Sequence, residues 1–174
     1  MNEYLIHVEK VWDDNVWGNL LKFLEDRFGY SKCHLFLMSP QFEYQRAVLG
    51  YRGTELELKK KLKQRYNKLK NLQKRYGFKM GMHVHICLDP VELSESEKNI
   101  LFLNSYKFLK DNLDNLDGIS FGWFKYDSYL EELCKISNLS ILHSGISFHD
   151  YDLPISGFKL FEHWTRDKLR RLFR

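Results

Sequence analysis

Two histidines separated by one residue, in the run Gly81-Met82-His83-Val84-His85, are the clearest chemical signal in the sequence. Residues two apart in an extended strand point to the same face, so these imidazoles project together. The same spacing joins His7 to Glu9 near the amino terminus. Two imidazoles and a carboxylate from a neighbouring strand make a suitable ligand set for a divalent ion, zinc foremost, with one position left for water. Water held in that way becomes a nucleophile near neutral pH. The bland alternative is a pair of polar residues hydrogen-bonded to adjacent loops, and the spacing alone leaves both readings open. Met80 and Met82, at the alternate positions, read as core. Cys87 reads as a buried free thiol or a further ligand.

The elements that must position these residues follow from the apolar pattern. Tyr4 to Val8 and Cys33 to Met38 are short apolar runs suited to buried strands. Between them a helix runs from Asp14 to Gly29, with Trp17, Leu20, Leu21, Leu24 and Phe28 at helical spacing. Gln41 to Gly53 reads as a loop, and Thr54 to Tyr76 as a long helix with a lysine-rich outer face. Met80 to Leu88 is a third strand, and Ser94-Glu95-Ser96-Glu97 is a capping box for a helix through Leu113. Ile119 to Phe121 is a fourth strand, Asp127 to Ile136 a helix and Leu139 to Leu142 a fifth strand. A polar loop holding His149, Asp150 and Asp152 then leads to a closing helix carrying Leu160, Phe161, Trp164, Leu169 and Leu172. That loop reads as a solvated turn or as support for a metal ligand.

Strand and helix alternate, which favours a parallel sheet, as an incomplete barrel or an open twisted sheet. Ligands of such sheets bind at the carboxyl ends of the strands. That rule gathers His7 and Glu9, His83 and His85, Trp123 after the fourth strand, and His143 after the fifth.

The 174 residues, 44% of them hydrophobic, suit one α/β domain over 1–174. The net charge of +4 is small, and the lysine face of the long helix reads as solvated exterior, so nucleic acid is disfavoured as a partner. Cys33, Cys87 and Cys134 are widely spaced and form no CxxC pair, which suits a reducing compartment. With neither a secretory leader nor a membrane-length apolar run, the expectation is a cytoplasmic protein with no membrane partner. Oligomeric state is not encoded in any of these features.

Taken in order, four segments resemble the motifs of NodB-type polysaccharide deacetylases. They are the strand ending His7-Val8-Glu9, the stretch from Phe28 to Leu37, the stretch from Tyr76 to His83, and Ile119-Ser120-Phe121-Gly122-Trp123-Phe124-Lys125-Tyr126. The resemblance implies a deformed (β/α) barrel and metal-dependent hydrolysis of an N-acyl group on a carbohydrate or related small substrate. Glu9 then matches the metal-binding Asp, His7 stands where the basic Asp falls, and His83 matches the first histidine ligand. Cys87 occupies the usual place of the second, so His85 completes the set by geometry. His7 or His143 would move protons, and Trp123, Phe124 and Tyr126 would stack on a sugar. The family's Asp pair and the Arg before its Gly-Trp segment are absent here, which gives the alternative of a catalytically degenerate carbohydrate-binding or regulatory module.

Overall fold

The computed structural model describes residues 4–25, 33–87, 92–142 and 146–153. Within them the elements run β1 (Tyr4–Val8), α1 (Asp14–Glu25), β2 (Cys33–Met38), α2 (Phe42–Ala47), α3 (Glu55–Tyr76), β3 (Lys79–Val84), α4 (Glu95–Asn112), β4 (Ile119–Phe121), α5 (Ser128–Ile136) and β5 (Ile146–His149). The strands form one sheet in the order β4-β3-β2-β1-β5, every pair parallel. The expected closing helix and His143 lie outside the described residues.

Each strand divides its residues between two environments. Ile6 and Val8, Leu35 and Leu37, Met80, Met82 and Val84, and Ile119 and Phe121 join the helix-covered core. Their alternates, including His7, Phe36, His83 and Ser120, turn to the opposite face. That face is concave. Strands three places apart in a flat sheet stand about 14 Å apart, yet Nε2 of His7 on β1 lies 3.2 Å from the hydroxyl of Ser120 on β4. Only a curled sheet brings those side chains together. The chain itself imposes the curl: Ile141 bridges to the outer side of β4 at Ile119, and Ile146 opens β5 on the far side of β1. Five residues span at most about 18 Å, so the two sheet edges cannot diverge further.

Local signals set the helices. Thr54 and Glu57 form a capping box at the start of α3, and Ser94 and Glu97 form another at α4. Leu58, Leu62, Tyr66 and Leu69 give α3 its buried stripe. Asp13 caps α1, accepting from the Val16 amide at 3.0 Å. Three expectations are corrected. The segment read as a loop from Gln41 contains α2, whose six residues are too few to show a period. The third strand ends at Val84, because β4, its outer partner, ends at Phe121. Leu139 to Leu142 makes a single bridge; the fifth strand is Ile146–His149, inside the stretch read as a loop. Among the described residues, no helix is long and apolar enough to cross a membrane.

Arg65 ties this frame to the carboxyl end of β1. Its buried guanidinium donates to the carbonyl oxygens of Val11 and Asp13 and pairs with Asp14. Arg65→Ala leaves the two carbonyls without that donor and should cost about 3 kcal/mol, read as a fall of roughly 5–10 °C in melting temperature. An unchanged melt would show that α3 does not secure this loop.

Candidate metal centre

The register of the curled sheet stacks polar side chains inside it. His7 pairs with Phe36 and with His149 across neighbouring strands, and His83 pairs with Met38 and Ser120. Glu9 continues β1 with its side chain on the same face as His7, and His85 does so beyond β3. Oε1 of Glu9 then lies 2.9 Å from Nε2 of His83 and 3.1 Å from Nε2 of His85, and the two imidazole nitrogens are 3.0 Å apart. All three residues are buried.

Each ring is held from behind. Nδ1 of His83 lies 2.8 Å from the carbonyl oxygen of Ser120, which can only accept, so Nδ1 carries a hydrogen and Nε2 is the ring atom turned toward Glu9 and His85. The backbone of His85, past the end of its strand, is clamped by the Gln41 amide. Oε1 of Gln41 accepts from the His85 N–H at 3.0 Å, and Nε2 donates to its carbonyl at 2.9 Å. Tyr44 stacks on the His85 ring, centroids 4.1 Å apart. Gly122 lies under the same ring: a Cβ there would sit 2.1 Å from Nδ1 of His85.

Electrostatics favour a lone-pair cluster beside an ionised carboxylate. Burial opposes the charge on Glu9, but hydrogen bonds with His83 and His85 outweigh it and hold the carboxyl well below its ordinary range. Burial, reinforced by His83, pulls His7 well below an ordinary imidazole. Burial also lowers His85, against the hydrogen bond to Glu9. One carboxylate oxygen and two imidazole Nε2 atoms, mutually about 3 Å apart, are what neighbouring ligands of one ion with bonds of about 2.0–2.2 Å require. The donor set fits a divalent metal.

Around these donors stand His7 and His149. His7 stacks on His83 with centroids 4.5 Å apart, and its Nε2 meets the Ser120 and Ser147 hydroxyls at 3.2 and 3.4 Å. His149, at the end of β5, places Nε2 3.7 Å from Oε1 of Glu9 and Nδ1 3.5 Å from Oδ2 of Asp152. Asp150 is fully buried and accepts from the Lys10 amide at 2.8 Å; burial first, with the charge of Glu9 adding to it, pushes its carboxyl up to about 8. His149 and Tyr44 are site neighbours that sequence reasoning left in loops. The alternation in Ile146-Ser147-Phe148-His149 was the available signal for the first, whereas no periodicity marks the second.

Trp123 and Phe124 form the rim. Both are more than 40% exposed, and both take left-handed backbone, φ 52° and 56°, which bulky residues adopt at a cost of about 1–3 kcal/mol each. That turn sets Trp123 edge-on to His85 and Phe124 beside His7. Tyr126 does not join them: two strained residues and Lys125 later, its ring stacks on Phe121 at the helix-covered face. A cleft of about 800 Å³ adjoins through Lys10 and Tyr151, sequence neighbours of Glu9 and Asp150.

No protein-family model and no curated protein matches the sequence. Among solved structures, a wild-type CE4 family pseudoenzyme from Bacillus anthracis superposes with a TM-score of 0.59 at 10% identity, covering 98% of this chain and 61% of that one. A mutant of that pseudoenzyme with restored enzymatic activity gives 0.57 at 10% identity, over 98% and 63%. The fold is a deformed, incomplete (β/α) barrel of the CE4/NodB type. The chain spans less than two thirds of the length of these neighbours.

Two outcomes follow from the geometry. His7 and His85 hold protons less readily folded than unfolded, so their contribution to the stability of metal-free protein is full above the ordinary imidazole value of about 6.5 and is lost as pH falls below it, whereas Asp150, raised to about 8, contributes with the opposite sign. Melts of chelated parent and His7→Phe between about pH 7.5 and 5.5 isolate the imidazole part: the stability of the parent relative to the variant should fall toward pH 5.5, and a pH-independent difference would contradict it. Gly122→Ala should displace the His85 ring and weaken zinc binding at least tenfold, seen by competition with a chromogenic chelator, and unchanged affinity would show that this ring is not a ligand.

Proposed function

We propose that the chain holds a divalent ion, zinc in the first instance, on Glu9, His83 and His85 and hydrolyses an N-acyl group on a carbohydrate or related small substrate. The observation that carries this reading is the convergence of one carboxylate oxygen and two imidazole nitrogens within 3.1 Å at the ligand-binding end of a parallel sheet. The ion would supply Lewis acidity toward the acyl carbonyl and a water-derived nucleophile at neutral pH.

The protein's own groups orient and exclude. Ser120 and Gln41 fix the tautomer of one ligand and the backbone of the other. Trp123 and Phe124 present exposed rings beside the donors, where an acylated sugar stacks with its apolar face. Tyr151, on the adjoining cleft, extends that aromatic surface. His7 is expected from the sequence to move protons; buried among three other imidazoles, it is better suited to offering a lone pair.

A second reading is a deacetylase-fold module that binds carbohydrate without turnover. It is favoured by the missing Asp pair and missing Arg, and by neighbours that are themselves described as pseudoenzymes.

Untagged protein separates these readings. Zinc at 100- to 1,000-fold above its Kd should stabilise the parent by about 3–4 kcal/mol. His83→Ala and His85→Ala should each lose most of that response, and the double variant should add little. Chelator-sensitive release of acetate from chitooligosaccharides would support the hydrolase. Zinc-linked stability with no turnover would leave the binding module, and melts indifferent to zinc would remove the metal centre.

A further inference from the structure

Glu9 is approached by imidazoles from two sides. His83 and His85 come from β3, while His7 on β1 and His149 on β5 stand opposite. Two overlapping groups of possible ligands result, Glu9 with His83 and His85 and Glu9 with His7 and His149, and within each the donor atoms lie within 4.8 Å of one another. Glu9 is common to both.

From this arrangement we infer that His7 and His149, with Glu9 as a bridging carboxylate, hold a second divalent cation beside the first. The inference rests on the metal centre proposed above and extends it to a two-ion site. Two observations carry it. Nε2 of His149 lies 3.7 Å from Oε1 of Glu9, within the reach of two ligands on one ion with bonds of about 2.0–2.2 Å. Nδ1 of His149 faces Oδ2 of Asp152 at 3.5 Å, and the His149 amide donates to the same oxygen at 3.2 Å. A carboxylate behind the ring leaves Nε2 as the free lone pair and is the usual support of a metal-ligating histidine.

Neighbouring ions sharing a carboxylate stand about 3.5–4 Å apart in two-metal hydrolases and together clamp an anionic or developing-anion oxygen. The ligand class is thus a pair of borderline divalent cations such as zinc, cobalt or manganese.

Stoichiometry tests this without reference to activity. Untagged, chelator-stripped protein is titrated with zinc by calorimetry and its bound metal counted by mass spectrometry; the parent should take two ions per chain. His149→Gln, a change at a half-exposed ring, and Asp152→Asn should each weaken the second ion at least tenfold and leave the first. Cobalt substitution adds a spectroscopic readout: the paramagnetic signal of the first equivalent should diminish on adding the second, through the shared carboxylate. One ion per chain in the parent, unaffected by His149→Gln, overturns the second site and leaves the first standing. Two ions in both proteins, with the second equally tight, also overturns it, since that ion then sits elsewhere. No bound ion removes both sites.

Discussion

The side-chain carboxylate of Glu9 organises the interior of this barrel. A buried anion is tolerable only if donors or cations surround it, and here Oε1 is enclosed by imidazole nitrogens from β3 and β5. His85, like His7, is buried and disfavours charge, so hydrogen bonds alone satisfy the cluster incompletely. His85 shows the deficit directly: with Nε2 turned to Glu9, its buried Nδ1 has no hydrogen-bond partner. The proposed cation would draw on lone pairs at the Nε2 atoms and offset the charge of the carboxylate together.

The sheet's curl makes that enclosure possible, and the curl has identifiable causes in the sequence. Small residues occupy the concave face where larger ones would obstruct it. Gly81 is such a place, since a Cβ there would meet the Gly118 carbonyl at 2.7 Å and the Phe36 ring at 2.9 Å. The hydroxyls of Ser120 and Ser147 are small enough to let His7 reach across. On the convex side, Met80, Met82 and Val84 meet the helices as a continuous apolar surface. A single strand therefore alternates between a polar core of histidines and an ordinary hydrophobic one.

That alternation was legible in advance. In Met80-Gly81-Met82-His83-Val84-His85 the period of two assigns the methionines to packing and the histidines to a common face, and the capping box at Ser94 places one helix start to the residue. The sheet's edges were harder to read. Leu139 to Leu142 is more apolar than Ile146 to His149, yet the former finds one bridging partner and the latter pairs along most of β1. Strand pairing is a long-range property, and apolar character marks burial rather than ladder formation. Misplacing the strand left His149 in a loop and drew attention to His143. Tyr126 failed for a related reason: the left-handed turn at Trp123 and Phe124 reverses which side the following residues face, and nothing in those residue types announces it.

Two non-glycine residues in left-handed conformation are costly, and the cluster shows what holds them there. Trp123 lies edge-on to His85, which is also held by Tyr44 and the Gln41 clamp, while Phe124 meets His7, which is stacked on His83. The strained turn and the ligand rings therefore constrain one another: relaxing either backbone residue would withdraw an aromatic wall from an imidazole. Strain of this kind persists where surrounding structure over-determines it. The rim is consequently coupled to the donors, and a substrate that stacks on Trp123 or Phe124 acts on the same rings that orient His85 and His7. On the proposed function, recognition and ligand geometry would be joined through direct ring contacts, with no conformational relay required between them.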